Sequence, residues 1–234
     1  MIKNAFCISA ALFLCGCEIE EEVTDEALAE EVAEVDTLNE NEGVFYPEEY
    51  SSSTDMKPLC DGNFISVEAA EKMLELTTLT NSETVYTIYD RIDGIATLFE
   101  DCNDPWGMFP TTYRHITNRI IEAIEKGEIE DQQWGRDIVL DFASRYMENL
   151  QLALLGEEPS YAWNQYYYLA DHPEASRTRA VVVAMVAHLT LDLPHSLVAI
   201  GTTEDHKDDY FVLGELMIET ADHEIIKRAR GLIT

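Results

Sequence analysis

The sequence predicts an all-α protein: a single bundle of about six to seven helices around a buried, Pro-kinked central helix, preceded by a disordered acidic tether. Three observations predict it. From Pro58 onward apolar residues recur with the 3.6-residue period of amphipathic helices, and no convincing alternating run signals a strand. The connections carry helix-stopping chemistry, as at Asp104-Pro105-Trp106-Gly107, Gly127 and Gly156. Ahead of Pro58 the composition changes, with fifteen acidic side chains and no basic one between Glu18 and Asp55.

The first element is a leader. Lys3 precedes an apolar run from Ala5 to Leu14, and Cys15-Gly16-Cys17 follows. One positive charge, a short apolar stretch and small residues make a secretory signal, whereas a spanning helix needs about 20 apolar residues. Leu14-Cys15-Gly16-Cys17 resembles the lipobox of bacterial lipoproteins, which implies cleavage after residue 16 and a lipid on Cys17. By the enterobacterial sorting rule, Glu18 in place of Asp points to the outer rather than the inner membrane. The alternative is an ordinary secretory signal with an incidental cysteine.

Residues 17–57 read as the tether, because the segment is rich in Glu and ends in Tyr46-Pro47 and Ser51-Ser52-Ser53. Leu28, Val32 and Val35 have helical spacing, yet so dense a negative charge repels itself. Residues 58–234 read as the helical domain. Its first helix is expected from Ser66 to Leu79, and Thr80 with Glu83 reads as a capping box that opens the second, with Tyr86, Tyr89, Ile92 and Phe99 on one face. A third follows from about Pro110 to Lys126, with Tyr113, Ile116, Ile120 and Ile124 inward, and a fourth from Asp131 to Leu155. Ala180 to Ile200 is apolar on nearly every side, but His188, Asp192, Pro194 and His195 at its centre argue for a buried helix rather than a membrane span. A last helix is expected from about Asp208 to Arg230.

Charge excludes one class of partner. The net charge is −31, and beyond Asp55 the chain still holds 31 acids against 14 bases. Nucleic-acid affinity comes largely from Lys and Arg on phosphates, so this is no nucleic-acid binder, and anionic headgroups would repel it. The membrane partner implied by the leader is held through lipid on Cys17. With Cys7 and Cys15 lost in the leader, Cys60 and Cys102 remain, either as a disulfide in an oxidising compartment or as two buried thiols.

His188, Asp192 and His195 stand at i, i+4 and i+7 on the oily helix, and burying such groups demands partners. Asp141 and Arg145, also one turn apart with Tyr146 adjacent, offer one: Arg145 paired with Asp192 would register two helices as a polar pin. Pro194 leaves the Thr190 carbonyl without its helical N–H and should splay this face. Trp163 with Tyr161, Tyr166, Tyr167 and Tyr168 reads as core or packing surface before a ligand groove, and His172, His206 and His223, each after an Asp, as solvent-facing.

Several spaced runs carry a family resemblance: Tyr113-Arg114-His115-Ile116-Thr117, Ile129-Glu130-Asp131 with Trp134, Asp141 through Tyr146, and Ala187-His188-Leu189-Thr190-Leu191-Asp192-Leu193-Pro194. Together, over about residues 85–220, they resemble a bacterial family of unknown function whose hallmark reads N-A-H-I-N-x-D-L. Val186 and Thr190 stand where that family has asparagines, while His188 and Asp192 carry over. His-x-x-x-Asp followed by Pro and His is also similar to part of the zinc pattern of helical phospholipases C and P1-type nucleases. That resemblance implies a metal site of His188 and Asp192 with His195, His115 or Asp209 as further ligands, zinc being the metal. There is no phosphate-cradling glycine loop, dinucleotide fingerprint or G-x-S-x-G elbow. The leading expectation is therefore a lipid-anchored envelope protein that binds or scaffolds; the alternative is a metal-dependent, phosphoesterase-like hydrolase.

Overall fold

The computed structural model describes residues 67–172 and 174–231, and every regular element among them is helical. Residues 1–16, expected to form a leader, Cys17, the acidic segment 17–57 and Cys60 lie outside the described residues. The α-helices are α1 (Val67–Thr77), α2 (Val85–Asp101), α3 (Met108–Lys126), α4 (Gln132–Leu154), α5 (Tyr161–Asp171), α6 (Arg177–Ala187), α7 (Leu193–Ala199) and α8 (Lys207–Gly231). The all-α bundle is the fold that the periodicity predicts.

Boundaries follow local chemistry. Helix α2 starts four residues later than Thr80 suggests, because Thr84 and Thr87 form the capping box: each side-chain oxygen accepts the other's backbone N–H, at 3.2 and 2.8 Å. Glu83 serves the turn before it, accepting from the Thr80 N–H and hydroxyl and from two guanidinium nitrogens of Arg91. Burial pushes the Glu83 carboxyl up, but the hydrogen bonds from Arg91, Thr87 and Thr80 outweigh it and hold the pKa at about 2. The buried stripe of α2 is Ile88, Ile92, Ile95, Ala96 and Phe99; Tyr86 is exposed with its hydroxyl on Glu125, and Tyr89 is half-buried. The inward face is thus rotated away from the phenols that the sequence places on it.

A 3-10 turn, Pro105–Gly107, joins α2 to α3. Gly107 is required there by contact, since a Cβ at this position would lie 2.5 Å from the Cβ of Phe99. Gly127, at φ 72°, ends α3 in the left-handed conformation that glycine adopts without strain. Helix α3 packs against α2 on one side and α8 on another; α6 lies against α5 and α3, and α7 against α4. The stretch 161–171, read from sequence only as an aromatic patch, is the full helix α5.

The expected central helix is continuous but not uniform. Between α6 and α7, His188–Asp192 forms a π turn in which the Leu193 N–H donates to the His188 carbonyl. Pro194 sits in the first turn of α7, so it has no N–H for the carbonyl four residues back, and the widened turn absorbs that mismatch where the sequence predicts a kink. The Thr190 hydroxyl donates to the Val186 carbonyl, 2.7 Å away.

Asp209 ties α8 to the rest. Its two carboxylate oxygens accept the backbone N–H groups of Glu130 and Asp131 at 2.7 and 2.8 Å, holding the turn between α3 and α4. Hydrogen bonds to a buried charge contribute about 1.5–3 kcal/mol each, so Asp209→Ala should destabilise by about 2–4 kcal/mol, with Asp209→Asn intermediate. Urea unfolding tests this; a loss under about 0.5 kcal/mol for the alanine variant would contradict the clamp.

Candidate functional site

The π turn brings His188 and Asp192 onto one side of the helix, and both are buried. The Asp192 Oδ2 lies 2.8 Å from His188 Nδ1 and 2.9 Å from the indole Nε1 of Trp163, which donates to it. With the carboxylate as acceptor, the ring proton of His188 belongs on Nδ1. Trp163 comes from α5, so one carboxylate joins two separate parts of the chain.

Rings enclose the imidazole. Phe142 of α4 stacks on it at 3.6 Å and 6° between planes, while Tyr113, Phe109 and Trp163 present themselves edge-on at 4.8, 5.3 and 5.7 Å between ring centroids. Burial pushes the His188 pKa down, and the Asp192 carboxylate only partly opposes this, so the ring is neutral at neutral pH. Burial likewise pushes the phenols of Tyr113, Tyr146 and Tyr167 up, keeping them protonated. His188 Nε2 and the hydroxyls of Tyr146 and Tyr167 are buried with no hydrogen-bond partner among the described residues.

Of the residues singled out from sequence, His188, Asp192, Tyr113 and Tyr146 meet in this box. Arg145 does not pair with Asp192. Its Nε donates to Asp141 Oδ1 at 2.8 Å and to the buried hydroxyl of Ser196 at 2.9 Å. Arg145 therefore joins α4 to the central helix as expected, but one turn beyond Asp192, because the nearer i−4 carboxylate on its own helix takes the charge. Asp141 also borders a surface groove of about 460 Å³, whose other lining residues include Leu79, Glu83, Ile88 and Asp137. The carboxylates there are already held, Glu83 by Arg91, Asp137 by Gln133 and Asp141 by Arg145.

The metal set does not assemble. His195 is exposed whereas His188 is buried, His115 is half-buried on α3, and both oxygens of Asp209 are engaged by backbone. Among the described residues no three His, Cys, Asp or Glu side chains are grouped as metal ligands, and a protein zinc site needs at least three. His188 and Asp192 face each other, which suits a hydrogen-bonded pair rather than two ligands on one ion. His206 departs from its expected solvent-facing place: it stacks on Trp134 at 5.4 Å and lies 3.5 Å from Asp131.

The sequence profile of the DUF5995 family, a family of unknown function, matches residues 85–230, more than half of the chain. The chain belongs to the DUF5995 family. The match covers every residue of the box, from Phe109 to Asp192, together with the clamp at Asp209. Neither a curated protein nor a solved structure matches the chain. In this DUF5995 protein Phe109 and Phe142 are site residues that sequence reasoning did not select, and Trp163, read from sequence only as part of an aromatic patch, is the indole donor to Asp192. The signal for Trp163 was available in its spacing with Tyr166, Tyr167 and Ala170, a helical stripe that is buried throughout.

Two expectations follow from the box. Asp192→Ala strands two buried donors and should cost about 2–5 kcal/mol by urea unfolding, while Arg145→Met should add to it without coupling because the two residues share no contact. The depressed His188 pKa sets a sign: below the ordinary value of about 6.5 the unfolded chain binds a proton that the folded box refuses. The stability that His188 contributes is therefore complete above about pH 6.5 and is lost as pH falls toward the folded pKa. Relative to His188→Phe, the wild type should lose stability between about pH 7 and about pH 5; a constant difference over that range would contradict a buried neutral histidine.

Proposed function

We propose that this DUF5995 protein is a lipid-anchored component of the bacterial cell envelope whose helical domain acts by binding or scaffolding. The observation that carries the scaffolding reading is the closure of its most chemically capable cluster. Asp192 has both donors on the chain itself, and the His188 ring is covered by Phe142, Phe109, Tyr113 and Trp163. A buried carboxylate with two N–H donors from different helices is a registering device, and recognition then belongs to the outer surface. In support of the anchor stand the lipobox-like Leu14-Cys15-Gly16-Cys17 and the acidic, base-free stretch from Glu18 to Asp55 that would space a domain beginning near residue 58 from the bilayer. The outer membrane is the destination that Glu18 favours.

A disulfide between Cys60 and Cys102 is part of the same reading, since an exported domain resides where thiols oxidise. Cys102 follows α2 as its half-buried C-cap residue. The metal-dependent hydrolase reading keeps one observation in its favour, the unpartnered His188 Nε2, but among the described residues no group of three metal-ligating side chains stands beside it.

Cys17→Ser should abolish incorporation of labelled fatty acid and leave an unprocessed or unlipidated precursor; continued labelling would overturn the anchor. The exported protein should resist thiol alkylation until reduced, and full alkylation in denaturant without reductant would remove the disulfide. Chelator should leave the urea midpoint of wild type unchanged, whereas a chelator-dependent drop that His188→Ala abolishes would favour the hydrolase.

A further inference from the structure

The run from Arg177 to Ala199 is long and apolar enough to cross a membrane by length and composition, but half of its apolar window is buried in the bundle. The exposed positions make an outward strip, which also carries His195. Val182, Val186, Leu191 and Val198 are 46, 42, 39 and 74% exposed. The extra residue of the π turn shifts the exposed positions from 182 and 186 to 191 and 198, so that they continue along one side while His188 and Asp192 stay inward.

Charge sets this side apart. In a chain of net charge −31, the stretch has one acid, Asp192, and that is buried on His188 and Trp163. Every other described helix of more than fifteen residues, α2, α3, α4 and α8, carries exposed carboxylates or ones only half-buried. Exposed carboxylates prevent a helix face from entering a lipid interface, because their dehydration is unfavourable. At the start of the strip stand Arg177 and Arg179, both exposed; Arg177 Nη1 donates to Asn103 Oδ1 at 3.3 Å, and neither guanidinium is held by a carboxylate among the described residues. An apolar strip with guanidinium groups at one end matches acyl chains beside lipid phosphates.

We infer that the outward face of α6, the π turn and α7 lies in the interface of a lipid bilayer, with Val182, Val186, Leu191 and Val198 among the upper acyl chains and Arg177 and Arg179 on headgroup phosphates. The inference deepens the lipid-anchor reading and rests on it for biological context, since a lipid on Cys17 would keep the domain beside the membrane. The contact itself is a property of the folded domain. A second copy of the chain is the competing occupant, and self-association is an outcome of the test.

The mature chain from residue 18, produced without leader or lipid, is mixed with vesicles of phosphatidylethanolamine and phosphatidylcholine and floated on a density gradient. These lipids carry phosphates but no net charge to repel the rest of the chain. Wild type should float, and Val182→Asp with Val186→Asp and Val198→Asp should reduce the bound fraction by about tenfold at unchanged helix content and thermal midpoint. Val198→Asp alone, at the most exposed position, should give a partial loss and covers the case in which the triple variant does not fold. Wild type that stays at the bottom, or variants that float equally, would overturn the inference. So would a wild-type dimer that the substitutions convert to monomer without any vesicle binding. Because this chain carries no lipid, these results are independent of fatty-acid labelling at Cys17, and failure of either reading is visible separately.

Discussion

The Asp192 carboxylate is the constraint around which the rest of the domain is arranged. A buried carboxylate without partners costs several kcal/mol. Here two N–H groups meet it from different directions, His188 one turn earlier on the same helix and Trp163 from α5. The imidazole that faces it must then be held, and α3 and α4 supply the rings that do so, Phe109 and Tyr113 from one and Phe142 from the other. Four parts of the chain are thereby fixed relative to one polar group. The geometry also depends on the π turn, which lets a proline enter the helix two residues after Asp192 while His188 and Asp192 remain on the same side.

Outside this box the attachments are local and individually weaker. Arg91 with Glu83 fastens the turn before α2 to that helix, and Arg114 of α3 reaches Asp93 and Glu100 of α2. Arg119 with Glu128 closes the end of α3. The partly exposed pairs of Arg114 and Arg119 contribute about 0–1 kcal/mol each, so they decorate an interface that apolar burial holds together. Asp209 differs, because its partners are backbone N–H groups in a turn that would otherwise leave them unsatisfied. Arg145, shared between Asp141 and the buried Ser196, repeats the logic of the box one turn further along the central helix.

Periodicity made most of the fold legible, because long amphipathic runs such as 110–126 and 131–155 declare both their type and their ends. It was less informative where side chains are amphipathic. Tyr86 has an apolar ring and a polar tip, so the pattern could not say that its hydroxyl would go to Glu125 rather than inward. Helix α5 was missed for a related reason: four tyrosines within eight residues blur a stripe whose buried members are Trp163, Tyr166, Tyr167 and Ala170. That omission carried a consequence for the site. Without α5 the sequence offered Asp192 either Arg145 or a metal shared with His188, whereas in the fold an indole and an imidazole donate to it. His188 and Asp192 themselves were legible because polar groups in an oily run must be answered by something.

Membership in DUF5995 brings a fold-level grouping with no activity attached, so function has to be argued from the groups themselves. A histidine that donates Nδ1–H to a carboxylate and turns Nε2 into a ring-lined interior is an orienting and packing element as it stands. The most direct test of that account is the protonation state of His188, read from the two ring nitrogen chemical shifts of histidine-labelled protein at neutral pH, with and without added zinc. The account predicts a neutral ring with its proton on Nδ1, unchanged by the metal. A proton on Nε2, a charged imidazolium, or a zinc-induced shift of Nε2 would contradict it.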